Sequence, residues 1–189
     1  MSILLPAFYM ITGKFKTPDE FREKLETALQ QQNLIVQLRC KHITDPDEYL
    51  RLVKIAEPLC QRHQAILLLA SSVEILNQSN ADGLHLNSQV LNQYRSRPVA
   101  TDKLLSVSCH TIDDMQQARQ LGADILLLSP VKETSSHPGV PGIGWDQFSH
   151  MLSDIQIPVY ALGGMQASDL DDARQAGAQG IAAISSFWK

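Results

Sequence analysis

Eight short apolar runs recur along this 189-residue chain, and they constrain its fold more than any other feature. Continuous apolar runs, as opposed to alternating ones, are typical of strands that are covered on both faces, as in a parallel sheet. We therefore predict eight buried strands, of which the one at 83–86 has the weakest pattern. The runs lie at residues 7–12, 34–39, 65–70, 83–86, 103–109, 124–129, 158–164 and 180–185.

Helical patterns separate most of these runs. Thr17 and Asp45 each precede a proline at the start of such a pattern, which predicts that they are helix N-caps. Gly122 and Gly177 follow later patterns, where a helix C′ residue is expected. The segments with apolar spacing close to 3.6 residues are 18–31, 46–63, 111–121, 145–153 and 168–176.

Strand–helix alternation with short connections predicts right-handed units and a parallel α/β sheet. Eight strands close into a (β/α)₈ TIM barrel, whereas five or six would give an open, doubly wound sheet. About 24 residues per unit makes the barrel compact beside the roughly 250 residues usual for this fold. We predict a truncated last outer helix, which would leave an apolar strip near Phe187 and Trp188. A second copy or a partner domain would then cover that strip.

Composition favours one globular domain over residues 1–189, with 44% hydrophobic residues and a net charge of −4. The mildly acidic balance argues against nucleic acid as a partner, and no apolar run is long enough to span a membrane. We read no signal peptide at the start. Cys40, Cys60 and Cys109 are odd in number and lack metal-site spacing, which predicts reduced thiols and a cytoplasmic protein.

The strongest candidate site is a phosphate cradle after the last two strands. Gly163 and Gly164 would let backbone N–H groups approach a phosphate, and Ser185 and Ser186 follow strand 8. The loops after strands 7 and 8 are the usual phosphate site of such barrels. The alternative is that the paired glycines only form a tight turn.

Strand 2 ends in a second candidate site. Alternation places Gln37, Arg39 and Lys41 on one face, and two cations in a barrel mouth are costly unless an anion meets them. A solvated strand end is the alternative. After strand 5, Ser108 could bind a ligand and His110 could move a proton, although a lone histidine is more often structural.

The long segment 129–145 is a candidate lid, with Thr134, Ser136 and His137 as substrate-binding donors. A flexible surface loop is the alternative interpretation. Cys109 and His110 are adjacent on a strand and point to opposite faces, so we reject a thiol nucleophile. His85 and His110 lack a third ligand, so no catalytic zinc site is predicted.

The ordered motifs resemble the thiamine phosphate synthase/TENI superfamily over nearly the whole chain. The motifs are QLRCK at 37–41, ADGLHL at 81–86, SVSCHT at 106–111, LSPVKETSSHPG at 128–139, PVYALGGM at 158–165 and GAQGIAAIS at 177–185. The chain looks most similar to the synthase-like domain at the C-terminus of some Nudix hydrolase fusions.

The resemblance implies condensation of a pyrimidine diphosphate with a thiazole phosphate, and it implies roles for individual residues. The pyrimidine diphosphate would be held by Gln37, Arg39 and Lys41, with Ser108 near the pyrophosphate. The thiazole side would be held by Thr134 and Ser136, and its phosphate by the backbone of Gly163, Gly164, Ser185 and Ser186.

Departures from the family pattern fall on the implied Mg²⁺ site. Ala70, Ser71 and Ser72 stand where the family has an Asn-Asp-Arg-like triplet, and Gln89 stands where a second Asp is expected. The family's lid lysine reads as His137. Both acidic Mg²⁺ ligands are therefore expected to be absent. The resemblance still implies a small phosphorylated heterocycle as the substrate.

Three functions stay open on this reading. The chain could be a synthase homologue with weak or altered transfer activity, or a TENI-like isomerase of a thiazole phosphate. In the isomerase, which needs no metal, the resemblance places the proton-transfer histidine at His110. The third function is a non-catalytic module that binds a phosphate ester.

Overall fold

The computed structural model describes residues 4–134, 139 and 141–189, and its centre is a closed barrel of eight parallel strands in sequential order. Strand β1 pairs with both β2 and β8, which closes the barrel. The predicted fold class is confirmed. The strands are β1 Phe8–Ile11, β2 Leu34–Leu38, β3 Ile66–Leu69, β4 Gly83–Leu86, β5 Leu104–Cys109, β6 Ile125–Leu128, β7 Val159–Leu162 and β8 Gly180–Ala183.

Helices lie outside the barrel between successive strands. The predicted N-caps are confirmed: the Thr17 side chain accepts from the Glu20 N–H, and the Asp45 side chain accepts from the Asp47 N–H. A 3₁₀ turn precedes the last helix. The helices are α1 Pro18–Gln31, α2 Pro46–Arg62, α3 Val73–Asn77, α4 Ser88–Leu91, α5 Ile112–Gln120, α6 Gly144–Met151 and α7 Leu170–Gln175.

Two apolar layers hold these elements together. The outer layer lies between strands and helices and contains most of the buried aliphatic side chains. The inner layer fills the barrel, because alternate residues of each strand point inward. Its fully or nearly buried apolar members are Tyr9, Ile11, Ile35, Leu68, Ile125, Leu127, Tyr160 and Ala182.

The segment after β8 corrects one prediction. A turn, and no helix, follows β8 in the described residues, but Phe187 and Trp188 are only 5% and 7% exposed. The Phe187 ring packs on Phe8 at 5.5 Å, and the Trp188 ring packs on Phe21 at 5.6 Å. The expectation of an exposed apolar strip there is wrong, because the N-terminal part of the barrel already buries both rings. A second copy or partner domain that covers this region stays a prediction, but no exposed apolar strip supports it.

Other features bear on the environment of the chain. All three cysteines are free and buried, and burial raises the pKa of each thiol to about 12. Within the described ranges, no helix has the length and apolar character needed to cross a lipid bilayer.

Candidate functional site

A cavity of about 450 Å³ opens at the carboxyl ends of the strands, a volume suited to a small-molecule ligand. Its wall contains seven of the residues selected from the sequence: Gln37, Arg39, Lys41, Ser108, His110, Thr134 and Gly163. Gly164, Ser185 and Ser186 do not line it, although their neighbours Gly163 and Ile184 do. Ser136 and His137 lie outside the described residues.

The strand-2 side of the mouth is cationic. Arg39 is held by Thr12, whose hydroxyl accepts from the Arg39 N–H at 2.8 Å and donates to the Arg39 carbonyl at 3.0 Å. Burial lowers the pKa of the Arg39 guanidinium, so its charge lies where water solvates it incompletely. Lys41 is exposed at the rim, and no Asp or Glu is among the described residues that line the cavity. An anion would therefore be favoured here.

The glycine pair after β7 is required by both conformation and space. Gly163 and Gly164 have φ of +99° and +67°, in the region that favours glycine. A Cβ on Gly163 would lie 2.8 Å from the Cα of Pro130, and one on Gly164 would lie 2.6 Å from the Glu133 carbonyl oxygen. The loop after β6 thus packs directly on this turn, and the Lys132 N–H donates to the Gly163 carbonyl at 3.1 Å.

A side chain joins the junctions that follow β7 and β8. The Ser186 hydroxyl lies 2.6 Å from the Met165 carbonyl, to which it donates. None of the hydrogen bonds within the described ranges is donated by the backbone N–H of Gly164, Ser185 or Ser186. Adjacent loops with unpaired backbone N–H groups are typical of anion-binding sites, and the phosphate cradle stays a prediction.

His110 lies at the mouth with a defined tautomer. Its Nδ1 is 2.8 Å from the carbonyl oxygen of Ser129. Since a carbonyl can only accept, Nδ1 carries the proton and Nε2 is the basic nitrogen of the neutral ring. The His110 N–H donates to Asp114 at 2.8 Å, within the capping box that Thr111 and Asp114 form at the start of α5. The backbone that carries the imidazole is therefore fixed.

A buried polar group below the mouth was missed by the sequence analysis. His85 Nε2 lies 2.9 Å from the Ser108 hydroxyl, and its Nδ1 lies 2.9 Å from the Ser106 hydroxyl. Burial, with a smaller effect of the Arg39 charge, lowers the pKa of His85 to about 3, so the ring is neutral. The signal was present in the sequence, because alternation along GLHL and LLSVSC places these side chains inside the barrel.

A family model described as thiamine monophosphate synthase matches residues 8–187 of the chain. The chain belongs to the thiamine monophosphate synthase (TMP-TENI) family. This confirms the family resemblance seen in the motifs, while the likeness to Nudix fusions stays a prediction. The cavity described above thus lies in a thiamine monophosphate synthase family barrel.

Relatives in this thiamine monophosphate synthase family align over nearly the whole chain. A protein of Aquifex aeolicus named "Putative thiamine-phosphate synthase 2" is 35% identical over 183 residues, covering 97% of this chain and 98% of its own length. The thiamine-phosphate synthase of Streptococcus suis is 34% identical over 187 residues, covering 95% of this chain and 80% of its own. The chain is thus a homologue of thiamine-phosphate synthases.

Solved structures share the architecture of this family member. A thiamine phosphate pyrophosphorylase from Pyrococcus furiosus superposes with a TM-score of 0.71 at 22% identity, over 94% of this chain and 85% of that one. At this level of identity, the likeness concerns the fold.

Proposed function

We propose that the chain binds a thiazole phosphate of thiamine biosynthesis at the barrel mouth and isomerises it by proton transfer through His110, without a metal ion. The observation that carries the proposal is the 2.8 Å contact between His110 Nδ1 and the Ser129 carbonyl, which makes Nε2 the basic nitrogen of a ring that lines the cavity. The resemblance of the chain to the TENI branch of the family implies such an isomerisation.

The phosphate is assigned to the junctions after β7 and β8. Support comes from the Ser186–Met165 contact of 2.6 Å, which brings the two junctions together. The positive φ of Gly163 and Gly164 exposes backbone N–H groups with no Cβ beside them. Arg39 and Lys41, which follow a strand two places from β8 and three from β7 around the barrel, add positive charge.

The residues at the implied metal site do not fit Mg²⁺. Ser71, Asn87 and Gln89 line that part of the cavity and offer only neutral oxygens. No cluster of three or more His, Cys, Asp or Glu side chains that could hold a metal occurs in the part of the chain that the structure describes. Because a hard dication prefers carboxylate ligands, we derive no step through a metal.

The proposed step needs only a proton carrier. His110 Nε2 removes a proton from one ring position, and the resulting imidazolium returns a proton to another, so no atom is gained or lost. The Ser129 carbonyl keeps the proton on Nδ1 throughout and stabilises the imidazolium.

The test is the rate of interconversion of thiazole phosphate tautomers, followed by ultraviolet absorbance, for wild type and His110→Ala. We expect kcat to fall by about 10²–10⁴-fold with little change in KM, because the base acts on the transition state and the phosphate still binds. His150→Ala, at an exposed position on α6, is the matched control and should keep the wild-type rate. An unchanged rate in His110→Ala would remove His110 from the mechanism.

A second candidate is synthase-type transfer from a pyrimidine diphosphate to the thiazole phosphate. It is favoured by Arg39 and Lys41, which lie at the end of β2, apart from the junctions assigned to the thiazole phosphate, and would meet a second anionic group there. The test is to mix both precursors with Mg²⁺ and measure thiamine phosphate. Product formation by a protein that does not isomerise thiazole phosphate would support this function. Binding without any turnover would instead support a non-catalytic phosphate-ester module.

A further inference from the structure

Five polar side chains form a connected cluster from the barrel interior to the cavity floor. Tyr9 and Ser106 are fully buried, Gln37 and His85 are 2% and 6% exposed, and Ser108 lies next along the inward face of β5. The rest of the barrel interior is apolar, so an unpaired polar group there would be costly. The arrangement of protons in this cluster is therefore strongly constrained.

The distances define a continuous path. The Tyr9 hydroxyl donates to Gln37 Oε1 at 3.1 Å and lies 3.2 Å from the Ser106 hydroxyl and 3.3 Å from His85 Nδ1. Ser106 lies 2.9 Å from His85 Nδ1, and His85 Nε2 lies 2.9 Å from Ser108. Each member thus touches the next within hydrogen-bond distance.

Two proton arrangements satisfy every contact on this path. In the first, Ser108 donates to His85 Nε2, Nδ1–H donates to Ser106, Ser106 donates to Tyr9, and Tyr9 donates to Gln37 Oε1. In the second, every donor and acceptor is reversed and the Gln37 amide is turned over. The structure has Gln37 Oε1 facing Tyr9, which selects the first arrangement.

We infer that Tyr9, His85 and Ser106 are positioning residues that couple the hydrogen-bonding roles of Gln37 and Ser108 at the cavity floor. In the first arrangement, Gln37 would present its NH₂ group to the ligand and Ser108 would present an acceptor. Any reversal must change both residues together, through a change of His85 tautomer. This rests on the proposed function for its ligand: a ring nitrogen of the heterocycle, an acceptor, would meet Gln37.

The test is nitrogen-15 NMR of the ligand-free protein with labelled histidine, with His85 assigned by the loss of its signals in His85→Gln. We expect the proton on Nδ1 in wild type. In Tyr9→Phe, Ser106 loses its acceptor and donates to Nδ1, so the proton should move to Nε2. Gln37→Met removes the acceptor of Tyr9 and should produce the same change from the other end of the path.

Tyr160→Phe is the matched control. Tyr160 is as buried as Tyr9, with ring centroids 5.4 Å apart, but its hydroxyl donates to the Pro6 carbonyl, outside the cluster. This variant should leave the His85 tautomer unchanged. A wild-type proton on Nε2, or a tautomer that is the same in wild type, Tyr9→Phe and Gln37→Met, would overturn the inference.

Calorimetry with thiazole phosphate adds a functional measurement. Tyr9→Phe should raise the Kd for thiazole phosphate by about fivefold, as expected when one hydrogen bond to the ligand is no longer correctly oriented. Tyr160→Phe should leave the Kd unchanged. An unchanged Kd in Tyr9→Phe would overturn the role in ligand recognition. If wild type binds no phosphate ester, the proposed function fails, while the NMR result on the ligand-free protein still decides the coupling.

Discussion

His85 lies in surroundings that differ strongly from water. It is neutral inside the barrel, with both ring nitrogens in contact with hydroxyl groups. Its pKa is lowered from the ordinary 6.5 to about 3, first by burial and then by the Arg39 charge. Protonation would place a charge in an apolar interior where no carboxylate is part of the cluster.

This lowered pKa predicts an acid-sensitive fold. Below about pH 6.5 the unfolded chain binds a proton at His85 that the folded chain does not bind, so the free energy of unfolding falls as the pH falls toward 3. The expected loss from this group is about 2 kcal/mol between pH 7 and pH 5. Urea denaturation at both pH values would measure it.

His85→Gln should lack this part of the pH dependence, whatever its stability at pH 7. His150→Gln, at an exposed position, should keep the wild-type dependence. If the free energy of unfolding fell equally in wild type and His85→Gln between the two pH values, the conclusion that His85 is buried in its neutral form would be wrong.

Single residues at the mouth were easier to predict than the cluster below it. Gln37, Arg39 and Ser108 follow from alternation toward a strand end, and each lines the cavity. From the sequence, His85 is considered only as a possible metal ligand. Its role in the cluster depends on contacts with Tyr9 and Ser106, which lie on other strands. Such contacts follow from barrel closure, which no local pattern encodes.

At the scale of elements, the type of pattern and the length of a helix decided what could be predicted. The strands follow from continuous apolar runs and the long helices α1 and α2 from their apolar spacing, and the structure has them within one or two residues of the prediction. Helices α3 and α4 have five and four residues, too few for a period of 3.6 to be recognised. They form because Ser72 and Asn87 cap them and the barrel packs against them.

The junction between β7 and α7 gives a prediction at this scale. In Gly163→Ala, the new Cβ would combine a φ of +99° with a contact of 2.8 Å to the Pro130 backbone. Gly144→Ala has a similar φ of +73° but nothing within 4 Å. Gly144→Ala should cost about 1–2 kcal/mol of unfolding free energy from backbone strain alone, and Gly163→Ala should cost more.

The two variants should also differ in ligand binding. Gly163→Ala must move the loop after β6 or the glycine turn, so it should weaken binding of thiazole phosphate, whereas Gly144→Ala should not. Chemical denaturation and calorimetry would measure the two effects. Equal unfolding free energies would show that the close approach to Pro130 does not constrain the junction.

At the scale of the whole molecule, closure of the barrel joins the two ends of the described chain. β1 pairs with β8, and the turn after β8 packs on α1 through Trp188 and Phe21. The Trp188 indole N–H also donates to the Lys14 carbonyl at 3.0 Å. This segment therefore closes the outer layer beside α1.

Trp188→Ala should destabilise the whole barrel. We expect the free energy of unfolding to fall by about 3–5 kcal/mol, as for other large buried side chains, because the cavity opens between β1, β8 and α1. Trp145→Ala, at a partly buried position on α6, is the control with the smaller expected loss. Urea unfolding followed by circular dichroism would measure both, and equal losses would contradict the role assigned to the C-terminal turn.

The charge of the cavity wall is opposite in sign to the charge of the molecule. The chain carries a net −4, yet the described residues around the cavity include Arg39 and Lys41 and no carboxylate. A doubly charged anion is therefore repelled by the surface at a distance and attracted only near the opening. Added salt would screen both effects, and above about 0.1 M, where the Debye length falls to roughly 10 Å, the short-range attraction would survive better than the long-range repulsion.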